Sequence, residues 1–208
     1  MPIEFETAFR RCPLVAILRG VRPDEVVAIG TALVEAGFPL IEVPLNSPDP
    51  LRSIAALADA FSGRAVVGAG TVTTAAEVTA VRRAGGTLVV SPHSDPAVIR
   101  ATKAEGMTAI PGAATPTEAF AALAAGADAV KLFPAEALPP TVVKALGAVL
   151  PRGTRLLPVG GIQVANMNAY RKAGAAGFGL GSALYRPGDG AAVVGERARL
   201  FVTAWTQE

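Results

Sequence analysis

Histidine and cysteine each occur once in the 208 residues, as His93 and Cys12. A lone thiol allows no intrachain disulfide, and one thiol with one imidazole cannot make a Cys/His metal site. Cys12 reads as a small apolar packing residue. No charge of one sign dominates: 19 Lys and Arg stand against 17 Asp and Glu, a net charge of +2. No basic cluster is interleaved with aromatics, which argues against a nucleic-acid partner. Apolar runs such as Leu14 to Leu18 are far too short to cross a bilayer. The opening residues, Met1 to Glu6, are acidic and lack the basic start of a secretion signal. The expectation is a cytoplasmic protein without membrane attachment. No carboxylate or imidazole cluster offers a ligand set, so neither a metal nor another cofactor is expected.

Apolar residues and glycine are plentiful. Hydrophobic residues make up 51% of the chain and charged ones 17%, enough for one large core. Glycine follows a helix-like stretch at five similar junctions: Ala36-Gly37, Ala84-Gly85, Glu105-Gly106, Ala125-Gly126 and Ala173-Gly174. Glycine just past a helix suits the left-handed residue that closes its last turn. A short apolar run follows each junction: Leu40 to Val43, Leu88 to Val90, Thr108 to Ile110, Ala129 to Leu132 and Gly177 to Leu180. Val15 to Leu18, Ala65 to Gly68 and Leu156 to Val159 have the same character.

These eight runs recur at intervals of a little over twenty residues, a period suited to one strand plus one helix. They are apolar throughout rather than alternating, as strands of a parallel sheet covered on both faces must be. Ala-rich segments with helical spacing lie between them, and Thr74, Asp95 and Thr115 stand as caps before three of these. The spacing predicts an α/β fold of the (β/α)8 TIM-barrel class, a single domain over residues 1–208. Glu4 to Arg11 is expected as an extra N-terminal helix closing the barrel bottom, and Gly190 to Trp205 as the eighth helix. A doubly wound open sheet would need a phosphate loop after the first strand, and Arg19-Gly20-Val21-Arg22-Pro23 does not resemble one.

Barrel chemistry sits where strands end. Lys131 lies between Val130 and Leu132, and Glu42 between Ile41 and Val43. A buried lysine is costly unless paired or deprotonated. Lys131 is therefore either a structural cation that snorkels or pairs, or an amine whose pKa falls on desolvation so that it can attack a carbonyl. Glu42 is either a structural partner for Lys131 or Arg19, or a general acid/base raised by burial. Gly160-Gly161 after the seventh run and Gly181-Ser182 after the eighth would expose backbone N–H groups as an anion site. Thr71 either hydrogen-bonds a carboxylate or caps the next helix. Phe133-Pro134 either walls a pocket or packs ordinarily. His93 is expected as a loop residue or one set behind the reacting groups rather than as a catalyst.

The segments Ile41-Glu42-Val43, Gly68-Ala69-Gly70-Thr71-Val72, Ser91-Pro92, Ile110-Pro111-Gly112, Lys131-Leu132-Phe133-Pro134-Ala135-Glu136, Val159-Gly160-Gly161 and Gly181-Ser182 run along nearly the whole chain. Together they resemble the class I aldolases that cleave 2-keto-3-deoxy-6-phosphosugar acids. The gluconate branch of that family carries Glu-x-Thr-Leu-Arg-Thr on the second strand, whereas this chain reads Glu42-Val43-Pro44-Leu45-Asn46-Ser47. That segment, with Ala16-Ile17-Leu18-Arg19-Gly20 and Val159, looks like the galactonate branch.

The resemblance implies a Schiff base on Lys131 with Glu42 as acid/base. It implies substrate contacts from Arg19, Thr71, Pro92 and Phe133, and phosphate held by Gly160, Gly161, Gly181 and Ser182. With the second-strand arginine missing, Arg19 is the candidate for the substrate carboxylate. The implied partners are a phosphorylated 2-keto-3-deoxy sugar acid and pyruvate, and the implied assembly is a homotrimer. The alternatives are the gluconate-type specificity and, further off, a phosphate-binding barrel isomerase or synthase in which Lys131 acts only electrostatically.

Overall fold

The computed structural model describes residues 3–207, so Met1 and Pro2 of the acidic opening segment lie outside the described residues. The strands are β1 (Leu14–Ile17), β2 (Leu40–Pro44), β3 (Val66–Gly70), β4 (Leu88–Val90), β5 (Thr108–Ile110), β6 (Gly112–Ala113), β7 (Val130–Leu132), β8 (Leu156–Pro158) and β9 (Phe178–Leu180). Every residue in them is buried, as the unalternating runs predict.

The helices are α1 (Phe5–Arg11), α2 (Val26–Ala36), α3 (Pro50–Ala60), α4 (Ala75–Arg83), α5 (Pro96–Ala104), α6 (Pro116–Ala124), α7 (Pro140–Val149), α8 (Val164–Lys172) and α9 (Ala191–Thr206). Their boundaries have local causes. Thr74 and Thr115 accept from the backbone N–H of Glu77 and Glu118, and each glutamate carboxylate in turn accepts from the cap's backbone N–H, a reciprocal capping box. Asp95 accepts from Ala97 N ahead of α5. At the other end Gly37 takes φ +104°, which lets its N–H and that of Phe38 bond back into the last turn of α2. The other four junction glycines share a positive φ.

Pairing is parallel throughout, in the order β5-β4-β3-β2-β1-β9 for one sheet and β6-β7-β8 for the other. The expected single run of eight strands is therefore interrupted. Pro111 splits the fifth run into β5 and β6 because proline has no N–H for the ladder. Its carbonyl still accepts from Lys131 N at 2.9 Å, and Asp128 N reaches Ala109 O at 2.9 Å, so the two sheets touch there. At the far edge Pro158 ends β8, and contact with β9 is reduced to one parallel bridge, Val159 with Gly179, and a 2.9 Å bond from Ala176 N to Leu156 O. The result is a curled, wholly parallel α/β arrangement.

Two apolar layers follow. The larger lies between helices and sheet and includes Leu33, Phe38, Leu57, Phe61 and Phe178. The smaller fills the concave side, where Val15, Leu40, Val66, Leu88, Ile110 and Leu157 meet Phe5 and Phe9 of α1. The expected N-terminal helix thus plugs the end where the strands begin. Arg155, just before β8, locks it with two 2.7 Å bonds to Glu6. The other end is left open for chemistry.

Candidate active site

Strand registry brings the two ionisable core residues together. Ile17 pairs with Glu42 across β1 and β2, and Lys131 sits between Gly112 of β6 and Leu157 of β8. Both side chains face a small hollow of about 10 Å3, otherwise lined by Val15, Ile17, Val90, Ile110, Leu157, Val159 and Gly179. Glu42 is 2% exposed and Lys131 6%. Desolvation lifts the Glu42 carboxyl to about 7, opposed only in part by the charges of Lys131 and Arg19. The same desolvation pulls the Lys131 amine below its ordinary value, against the pull of Glu42 and with the repulsion of Arg19. Oε2 of Glu42 has no hydrogen-bond partner among the described residues, a costly omission in a core and a common one where a proton or a substrate is to be received.

Gly70, at the end of β3, makes this placement possible. A side chain there would run into both carboxylate oxygens of Glu42. Its neighbour Thr71 takes φ +59°, a left-handed conformation that a β-branched residue adopts at a cost. Above Lys131, Phe133 is 38% exposed and holds its ring centroid 4.6 Å from Nζ.

Lys131 also opens outward, into a cavity of about 380 Å3 whose walls include Arg19, Phe133, Val159, Gly160, Gly161, Gly181 and Ser182. Gly160 and Gly161 take φ +106° and +62°, successive left-handed residues just before α8, so their backbone is turned as no other residue type would allow cheaply. Arg19 is exposed and donates from Nη1 to Asn46 Oδ1 at 2.6 Å, while Gly20 N donates to Ser47 Oγ at 2.9 Å. The end of β2 thus steadies the loop after β1. A buried amine, a buried carboxyl and a cavity with charged residues on its wall and a glycine-lined end suit covalent carbonyl chemistry on an anionic substrate.

The sequence model of KDPG and KHG aldolases matches residues 5–189. The chain belongs to the KDPG and KHG aldolase family. A 2-dehydro-3-deoxy-6-phosphogalactonate aldolase of Escherichia coli (strain K12) is 46% identical over 197 residues, 95% of this chain and 96% of that protein. A protein of Rhizobium meliloti (strain 1021), named as a probable enzyme of the same activity, is 47% identical over 193 residues, 93% of this chain and 91% of its own. A solved structure called native KDPGal superposes with a TM-score of 0.93 at 45% identity, covering 99% of this chain and 97% of that one.

In this member of the aldolase family, seven of the ten residues singled out from sequence border the outer cavity, namely Arg19, Lys131, Phe133, Gly160, Gly161, Gly181 and Ser182. Glu42 joins them from the inner hollow through Lys131. Thr71 and Pro92 border neither space. Both are half-buried at strand ends: Thr71 follows the glycine beside Glu42, and the Pro92 carbonyl lies where a side chain on Gly112 would otherwise be. His93 is exposed in the loop before α5, as expected. No group of three or more potential metal ligands occurs among the described residues, and no helix there is long and apolar enough to cross a membrane.

Sequence reasoning missed two charged residues on the cavity wall, Glu136 and Arg186. Glu136 follows β7 on a short 3-10 turn (Ala135–Ala137), and its carboxylate lies against the open faces of Gly160 and Gly161. Arg186 follows β9, with Nε donating to Ser182 O at 3.0 Å. Nothing in the sequence around Arg186 distinguishes it from an ordinary surface arginine in a Pro/Gly loop.

Proposed function

We propose that this aldolase cleaves 2-dehydro-3-deoxy-6-phosphogalactonate to pyruvate and D-glyceraldehyde 3-phosphate through a Schiff base on Lys131. The observation that carries the proposal is the pairing of Lys131 with Glu42 in one desolvated hollow, in a chain nearly half identical to relatives named for that activity.

The unprotonated amine of Lys131 attacks the C2 carbonyl, and the carbinolamine loses water to give an iminium. That cation draws in the electrons of the C3–C4 bond. The Glu42 carboxylate takes the C4 hydroxyl proton, the bond breaks, and glyceraldehyde 3-phosphate departs with its new aldehyde. The enamine takes the proton back at C3, and water hydrolyses the pyruvate iminium to release pyruvate and free Lys131. The hollow has room for about one water, which would carry the proton between Glu42 and substrate. The iminium supplies the electron sink that a metal supplies in other aldolases, so the chemistry requires no cofactor.

The remaining roles follow from position. Arg19, steadied by Asn46, takes the C1 carboxylate. Phe133 covers the imine. Gly160, Gly161, Gly181 and Ser182 take the phosphate, which fixes the scissile bond beside Lys131. Thr71 and Pro92, which border neither space, act from behind the site: Thr71 follows the glycine that seats Glu42, and the Pro92 carbonyl packs against Gly112. Chain 3–207 acts as one domain, its two sheets closing into a (β/α)8 barrel through the Val159–Gly179 bridge and the bonds around Pro111. A cytoplasmic homotrimer completes the proposal. Phe120, Val149 and Leu200 stand exposed on outer helices as apolar surface for association.

The deciding experiment is borohydride reduction in the presence of pyruvate, followed by cleavage of the two C4-epimeric phosphorylated acids in parallel, with K131M as blank. Trapping at Lys131 and faster turnover of the galactonate epimer are expected. Trapping with preference for the gluconate epimer would move the enzyme to the other branch. An unmodified Lys131 would end the Schiff-base proposal.

A further inference from the structure

The outer cavity holds two unlike charges at its phosphate end. The Glu136 carboxylate rests against Gly160 and Gly161, and no hydrogen bond or ion pair to it occurs among the described residues. A phosphate entering this cradle meets backbone N–H groups, worth only partial positive charge, beside a full negative one. A backbone cradle alone is thus poorly matched to a dianion.

Arg186 stands on the same wall. Its Nε is committed to the carbonyl of Ser182, which leaves the two terminal nitrogens without a hydrogen bond to any described residue. The loop beneath is held at several points. Arg186 N donates to Asp189 Oδ2 at 2.9 Å, Tyr185 OH donates to Glu25 Oε1 at 3.1 Å, and Pro187 fills the space beside Gly20. The guanidinium is therefore anchored with its outer edge unoccupied, the geometry in which arginine receives two phosphate oxygens at once.

We infer that Arg186 is a substrate-binding residue that supplies the phosphate subsite with its formal positive charge and offsets Glu136. This rests on the aldolase reading above and specifies how its substrate is held. The charge acts on the phosphate and not on the imine, so its removal separates phosphorylated from unphosphorylated substrates.

The test runs the reaction in the condensation direction. Wild type, R186A and R186K are supplied with pyruvate and either glyceraldehyde 3-phosphate or unphosphorylated glyceraldehyde. A charge-assisted bond of this kind predicts a KM for glyceraldehyde 3-phosphate raised on the order of tenfold or more in R186A. Rates with glyceraldehyde and pyruvate trapping at Lys131 should stay within about twofold of wild type, since neither involves phosphate. R186K should recover part of the loss, and inorganic phosphate should inhibit R186A more weakly than wild type. An unchanged KM for the phosphorylated acceptor, or an equal loss on both acceptors, would overturn the assignment alone. Failure of wild type to trap pyruvate would overturn the aldolase reading, and the assignment with it.

Discussion

Gly70 leaves open the space that the Glu42 carboxylate occupies, since a Cβ on Gly70 would overlap both carboxylate oxygens. The two residues lie diagonally on neighbouring strands, β2 and β3, where Glu42 pairs with Gly68 and Gly70 stands two residues further on, opposite Pro44. The glycine is required by its neighbour rather than by its own backbone, because its φ is not among the positive ones. The carboxylate is thereby held in a hollow it would otherwise have to leave.

Gly70→Ala should therefore push Glu42 away from the scissile bond while leaving Lys131 untouched. A displacement of about 1 Å costs on the order of a hundredfold in kcat. Pyruvate should still be trapped by borohydride, because imine formation needs only the amine. Steady-state cleavage together with intact-mass analysis of the trapped protein checks both halves. Equal loss of trapping and turnover would mean that the whole site has collapsed.

Burial raises the Glu42 carboxyl to about 7, so near that pH and below it the group is increasingly neutral. In the proposed role of base it must be ionised, so kcat/KM should fall as pH drops through about 7, and E42Q should lose that limb with most of its activity. In the proposed Schiff base the iminium cation would stabilise the carboxylate, so the limb in kcat should lie at lower pH. The sign for stability is opposite. A folded pKa above the unfolded value favours the protonated form, so this group's contribution is present below about 4.5 and is lost as pH rises toward 7. Melting curves of wild type and E42Q at pH 4.5 and pH 8 would show the gap moving in favour of E42Q at the higher pH.

Asn46 holds Arg19 through a 2.6 Å bond at the exposed rim of the site. Arg19→Ala should raise the KM for both epimeric substrates on the order of tenfold or more, as loss of a charged partner for the C1 carboxylate. Asn46→Ala should raise it only a few-fold, because the arginine remains and loses its orientation. Pyruvate affinity in the trapping reaction should follow the same order, since pyruvate keeps that carboxylate. A larger effect from Asn46 than from Arg19 would reverse the roles assigned here.

Phe9 of the plugging helix is 8% exposed and belongs to the inner apolar layer. Phe9→Ala should destabilise the fold by about 3–5 kcal/mol. KM and kcat should be unaltered at temperatures where the protein stays folded, because α1 closes the end of the sheet remote from the chemistry. Urea unfolding beside cleavage kinetics separates the two. A change in KM would show that the plug also shapes the site.

Much of this was legible in the chain itself. Continuous apolar runs specified strands buried on both faces, and Thr74, Asp95 and Thr115 marked helix starts because capping is local chemistry. Lys131 and Glu42 were conspicuous because a charge inside an apolar strand is expensive wherever it falls. Ala-Gly junctions located the helix ends for the same local reason. Tertiary structure alone decided which of these groups meet. The amine and carboxylate become one site only because strand registry turns both into the same desolvated hollow. Gly70 acquires its purpose only from a neighbouring strand. Pro111 and Pro158 interrupt the ladder at places that mean nothing until the strands are paired. Arg186 carries no local signature and Glu136 only closes the segment that begins at Lys131, since an exposed charge costs nothing in sequence, and only the folded cavity wall gives them a place. Burial, capping and periodicity are written residue by residue, while proximity across the sheet depends on the register of strands far apart in the chain.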